Sequence, residues 1–104
     1  MTTRPYLKCN TAEDVRLTAD RLGSHFFSPD TMRFFKSRLL SFHRSLTDDS
    51  GLIITSEVFG DEPRHYSVRR YEITRDDAGR DSINFETISK YATRGHAITA
   101  AKDI

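Results

Sequence analysis

"SPDTMRFFKSRLLSFHRSL", residues 28 to 46, decides the fold. It reads either as the core face of a helix or as an aromatic and basic surface meant for a partner. Ser28-Pro29-Asp30 has the grammar of a helix start: a cap hydroxyl, proline at the first helical position, then a carboxylate near the positive helix end. On that register Phe27 precedes the cap and Met32 is the fourth helical residue, a hydrophobic staple pair. Met32, Phe35, Leu39, Phe42 and Leu46 follow at spacings of three and four. At 100° per residue they share an arc of about 80°, which predicts a long helix with these five in the core. Phe34 falls on the far side near Arg38, and Leu40 on a flank near Arg33 and Arg44.

Upstream, residues 1–9 lack periodicity and read as an N-terminal arm. The domain is expected over 10–104. Asn10 with Glu13, or Thr11 with Asp14, can cap a first helix. Its apolar face is Ala12, Val15, Ala19 and Leu22, and Gly23 suits its end.

Downstream, "DDSG" (48–51) turns the chain. "LIITSEVF" (52–59), "RHYSVRRYEITR" (64–75) and "SINFETISKY" (82–91) are rich in β-branched and aromatic residues and read as strands. "GDEP" (60–63) and "DDAGRD" (76–81) connect them. Thr93 caps a final helix with Ala97, Ala101 and Ile104 on one face. The order α-α-β-β-β-α predicts an α+β domain, a three-stranded antiparallel meander with helices packed on one face. In the second strand Tyr66 and Val68 share one face, Tyr71 and Ile73 the other. Either a bulge near Arg69-Arg70 or a sheet covered on both faces would account for that.

Composition bounds function. The 104 residues are 37% apolar and 30% charged with net charge +1, so nucleic acid or membrane would need a local patch rather than a global field. A lone Cys9 excludes an intramolecular disulfide framework and a cysteine zinc site. No leader-like segment and no apolar run of membrane-spanning length is seen, so a cytosolic address is expected, with no membrane partner.

Catalytic signatures are sparse. His25, His43, His65 and His96 lack metal-ligand spacing. The acid pairs Asp48-Asp49, Asp61-Glu62 and Asp76-Asp77 sit in turns and lack the alternation of a calcium loop. No G-x-S-x-G elbow or phosphate loop occurs. The expectation is a protein that is not an enzyme and needs no cofactor. "PRHYSVRRYEITR" is the most suggestive stretch, because arginines beside aromatic rings suit phosphate contact and stacking. Arg33, Lys36, Arg38 and Arg44 add to it, against a plainer reading in which Glu57, Glu72 and Glu86 neutralise the strand. The candidate interaction surface is therefore Phe34, Arg38, Arg64, Tyr66, Arg69, Arg70, Tyr71 and Arg75.

The element order α-β-β-β-α matches that of double-stranded-RNA-binding domains, but the lysine cluster that opens their last helix is missing from "TRGHAITAAKDI". A closer likeness lies in "SHFFSPDTMRFFKSR", "TSEVFGDEPRHYSVRRYE" and "FETISKYATRGHAITAA". These stretches resemble a group of small proteins encoded by bacteriophages and prophages, over about residues 24 to 101. The resemblance implies a phage accessory protein acting on a host component, and it carries over no catalytic residues. The leading expectation is a non-enzymatic protein-interaction module whose partner is a host or phage protein, with a homodimer as a further form. The alternative is a small nucleic-acid-binding module using the Arg and Tyr residues of the second strand and the bases of the second helix.

Overall fold

A computed structural model describes residues 9–34 and 36–104, the side chain of Phe34 excepted. The elements are α1 (Ala12–Arg21), α2 (Pro29–Phe34), β1 (Arg38–Thr47), β2 (Ser50–Glu57), β3 (His65–Arg75), β4 (Asp81–Tyr91) and α3 (Arg94–Asp103). The four strands are antiparallel and ordered β1-β2-β3-β4. The class is α+β, and the expected three strands become four. Most of the expected arm lies outside the described residues, but Cys9, assigned to it, is buried in the core.

The stretch 28–46 starts as its sequence predicts and then departs from it. The Ser28 hydroxyl accepts the Thr31 amide at 3.2 Å, capping α2. The helix then stops after six residues. The Ser37 amide reaches back to the Met32 carbonyl at 2.7 Å and the Lys36 amide to Arg33 at 3.1 Å, with Lys36 at φ 50°. This pair of bonds is a Schellman termination, with lysine where glycine is usual. The chain leaves it as β1, so Leu39, Phe42 and Leu46 form no helical stripe, and Phe35 lies outside the described residues.

A strand packed on both faces mimics helical spacing here. Between Leu39, opposite Thr55, and His43, opposite Ile53, β1 holds two residues more than β2 needs. The extra pair keeps the alternation in phase: Leu39 packs on one face, where His43 also meets Tyr71, while Leu40 and Phe42 pack on the other. Leu46, expected in the core, is 37% exposed.

The helices also lie on both faces of the sheet, not one. Successive residues of a strand point to opposite sides, and every residue of β2 is buried. Ile53 packs with Val15 and Ala19 of α1 and with Phe27, Tyr71, Ile73 and Ile83. Leu52 and Ile54 pack with Val68 and with Ala97 and Ala101 of α3. Two-sided coverage explains why Tyr66 and Val68 face one way and Tyr71 and Ile73 the other, with no slip in β3 against β2. A bulge does occur, but in β4: Val68 pairs with Ser89 and Arg69 with Thr87, leaving Ile88 extra.

The remaining elements follow their sequence signals closely. Thr11 and Asp14 form the reciprocal capping box of α1. Thr93 caps α3 by accepting the His96 amide. Ile104, expected on the inner face of α3, is 47% exposed. The Asp76 side chain accepts the amides of Ala78 and Arg80, and Gly79 at φ 81° completes the β3–β4 turn.

Candidate functional site

A carboxylate lies in the inner sheet. Glu57 ends β2 on the α1 side and is 1% exposed. Ionised in such a place, it requires donors. Ser67 and Thr55 supply hydroxyls at 3.0 and 3.1 Å, and the Arg69 Nη2 lies 2.6 Å away. Arg69 is itself spent: Nε donates to Thr55 at 2.8 Å and Nη1 to Thr87 at 2.6 Å. Its guanidinium covers the Phe26 ring at 5.2 Å, and Phe85 stacks on Phe26 at 4.2 Å. The His65 Nε2 is buried without a hydrogen-bond partner, 3.9 Å from the Glu57 Oε1.

Above this network a hollow of about 280 Å³ opens between α2 and the sheet. Phe26, Met32 and Phe59 form its apolar walls, with Thr55, Glu57 and Arg69 beneath. Met32 and Ser37 also border a neighbouring groove of about 390 Å³, whose remaining lining is Arg33, Lys36, Arg38 and Arg64. Among the described residues no carboxylate pairs with any of these four cations. Arg64 donates to the Ser56 hydroxyl at 2.7 Å.

A larger hollow of about 530 Å³ lies between the start of α1 and the bulged part of β1. Its charged rim residues, Glu13 and Arg16, neutralise each other. The described residues contain no cluster of three potential metal ligands. Among them no helix is long and apolar enough to cross a membrane.

The structure brings together only part of the surface expected from sequence. Arg38 and Arg64 meet, joined by Arg33 and Lys36. Arg69 is locked in the buried network. Tyr71 is 2% exposed, with its hydroxyl 2.7 Å from the His43 Nε2. Tyr66 packs on the α3 side. Arg70 projects to that same face, 3.8 Å from Glu72, and Arg75 pairs with Asp81 at the hairpin end. Arg44 leaves the basic group to bond the Ala101 and Lys102 carbonyls at the end of α3, at 2.8 and 2.7 Å. The Phe34 side chain lies outside the described residues.

Sequence reasoning missed Glu57, Phe26, Met32 and Phe59 as members of one site. Glu57 carried a signal, since an acid inside a run of β-branched residues demands a buried partner. The convergence of the other three had none.

No curated protein and no solved structure matches the chain. A family model described as a family of unknown function (DUF7447) matches residues 11–102. That span takes in every strand and nearly all of α1 to α3, and the chain belongs to this family.

Proposed function

We propose that the chain is a non-enzymatic protein-interaction module, a phage accessory protein that acts on a host component. Its binding site is the hollow between α2 and the sheet. One observation carries the reading: an apolar hollow of about 280 Å³ adjoins a groove of four cations without acidic partners among the described residues. Exposed cations gathered without counter-charges are available to a ligand, whereas those of β3 are spent internally. Glu57 and His43 are likewise engaged. Three donors hold the Glu57 carboxylate, and His43 is bonded to Tyr71. The phage setting rests on the sequence resemblance alone.

The test is affinity capture from bacterial lysate, with and without nuclease, using wild type and Met32→Glu. A protein retained after nuclease by wild type and lost by the variant supports the reading. Its retention by a folded Met32→Glu would place binding elsewhere.

The four-cation groove also favours a second reading, nucleic-acid binding. Under it, replacing Arg33, Arg38 and Arg64 by Gln should weaken binding to mixed-sequence DNA or RNA and flatten the salt dependence by about one unit per lost phosphate contact. Under the first reading, wild type near physiological salt binds such nucleic acid no tighter than about 10⁻⁴ M.

A further inference from the structure

We propose that the hollow and the groove form one receptor for a short acidic segment of a partner protein carrying a single apolar anchor. This rests on the interaction-module reading and names the chemistry of its partner. A leucine- or phenylalanine-sized side chain would enter between Phe26, Met32 and Phe59, and flanking carboxylates would lie over Arg33, Lys36, Arg38 and Arg64.

Wall chemistry is the first argument. Phe26, Met32 and Phe59 line a hollow of about 280 Å³ and offer apolar contact to an inserted side chain. Charge complementarity is the second. Arg33 and Lys36 also answer the carbonyls at the end of α2, but Arg38 and Arg64 come from other elements and have no such duty. Four cations in one groove, none of them ion-paired among the described residues, suit an anionic ligand.

Lys36 supplies the third. It is the one non-glycine residue with positive φ among those described, at a termination where glycine would be unstrained. Strain of this kind persists where a side chain is needed, and the side chain here lines the basic groove.

A protein segment fits better than a nucleic acid strand. Single strands need open aromatic faces on which bases stack. Phe26 has Phe85 on one face and Arg69 over its ring, while Phe59 is occupied by His65 at 5.1 Å and by Lys90 at 5.6 Å. Exposed Asp61 and Glu62 lie just before Arg64, which keeps the basic surface short. A compact charge cluster beside one apolar hollow suits a few acids and an anchor.

The experiment is fluorescence anisotropy with a labelled peptide of sequence Glu-Asp-Glu-Phe between neutral flanks. Controls are its Gln-Asn-Gln-Phe and Glu-Asp-Glu-Ser versions and a thymidine oligonucleotide. The acidic phenylalanine peptide should bind tightest. Arg38→Gln with Arg64→Gln should weaken it about fivefold, as for two partly exposed ion pairs. Lys36→Gly should weaken it too while raising the melting temperature, an opposition that a merely structural lysine would not produce. Equal binding of the neutral peptide, tighter binding of the oligonucleotide, or unchanged affinity in Lys36→Gly would overturn the proposal. If every peptide fails while nuclease-resistant capture still depends on Met32, the acidic chemistry is wrong and the module reading stands. If both fail, the two fall together.

Discussion

At the scale of single residues, the protein's tightest constraints sit where β2 meets its neighbours. A methyl group on Gly51 would lie 2.6 Å from the Arg44 carbonyl oxygen and 2.8 Å from the Tyr71 ring. One neighbour is backbone and cannot give way, and the other is held by His43. Gly51→Ala should therefore cost about 3 kcal/mol, the upper part of the range for overpacking. Chemical denaturation measures it, and a midpoint equal to wild type would show that the sheet is looser here. His43 offers a second test at this scale. Burial lowers its pKa below 6.5, and the weaker pull of Asp14 does not reverse this. Protonation is easier in the unfolded chain, so its effect on stability is absent above about pH 6.5 and grows as pH falls from there toward the folded pKa. Between pH 7 and 5, His43→Gln should lose less stability than wild type. Parallel pH profiles would mean that His43 titrates as though exposed.

At the scale of elements, sequence signal and structure part at Lys36. Every helix start was legible: Ser28, Thr11 and Thr93 each accept an amide three residues on. Ser28→Ala should cost about 1 kcal/mol through the loss of one such bond, and coincident denaturation midpoints would contradict it. The end of α2 was not legible. A Schellman turn normally shows itself by glycine, and here a lysine takes the left-handed conformation. Past it, Leu39 serves one core and Phe42 the other, so a strand covered on both faces carries apolar residues at spacings that mimic a helix. Apolar period identifies a strand only where one of its faces is buried. β2, β3 and β4, whose registers are regular over most of their length, were read to within two residues of their ends.

At the scale of the whole molecule, the sheet is a partition rather than a floor. Ile53 belongs to the core under α1, and Leu52 and Ile54 to the core under α3. A fully buried β2 is the consequence, and in sequence it appears only as an unbroken aliphatic run from Leu52 to Ile54. The same two-sided burial made the basic strand misleading, because alternate residues of β3 serve different cores and cannot gather on one surface. Arg69 points under α2 to Glu57, Arg70 to the α3 side, and only Arg64, just ahead of the strand, reaches the groove. The proposed binding site consequently lies where α2, the start of β1 and the β2–β3 connection converge, and its members are spread from Phe26 to Arg69. Such a site is visible only after folding. A partner protein is expected to meet this corner and not the opposite face. The most direct measurement places a photo-crosslinking amino acid at Phe59, on the wall of the hollow, or at exposed Thr99 on α3, and irradiates the two proteins in bacterial cells. Protein adducts at position 59 and none at position 99 are the predicted result; adducts at 99 alone, or adducts at 59 that nuclease removes, would contradict it.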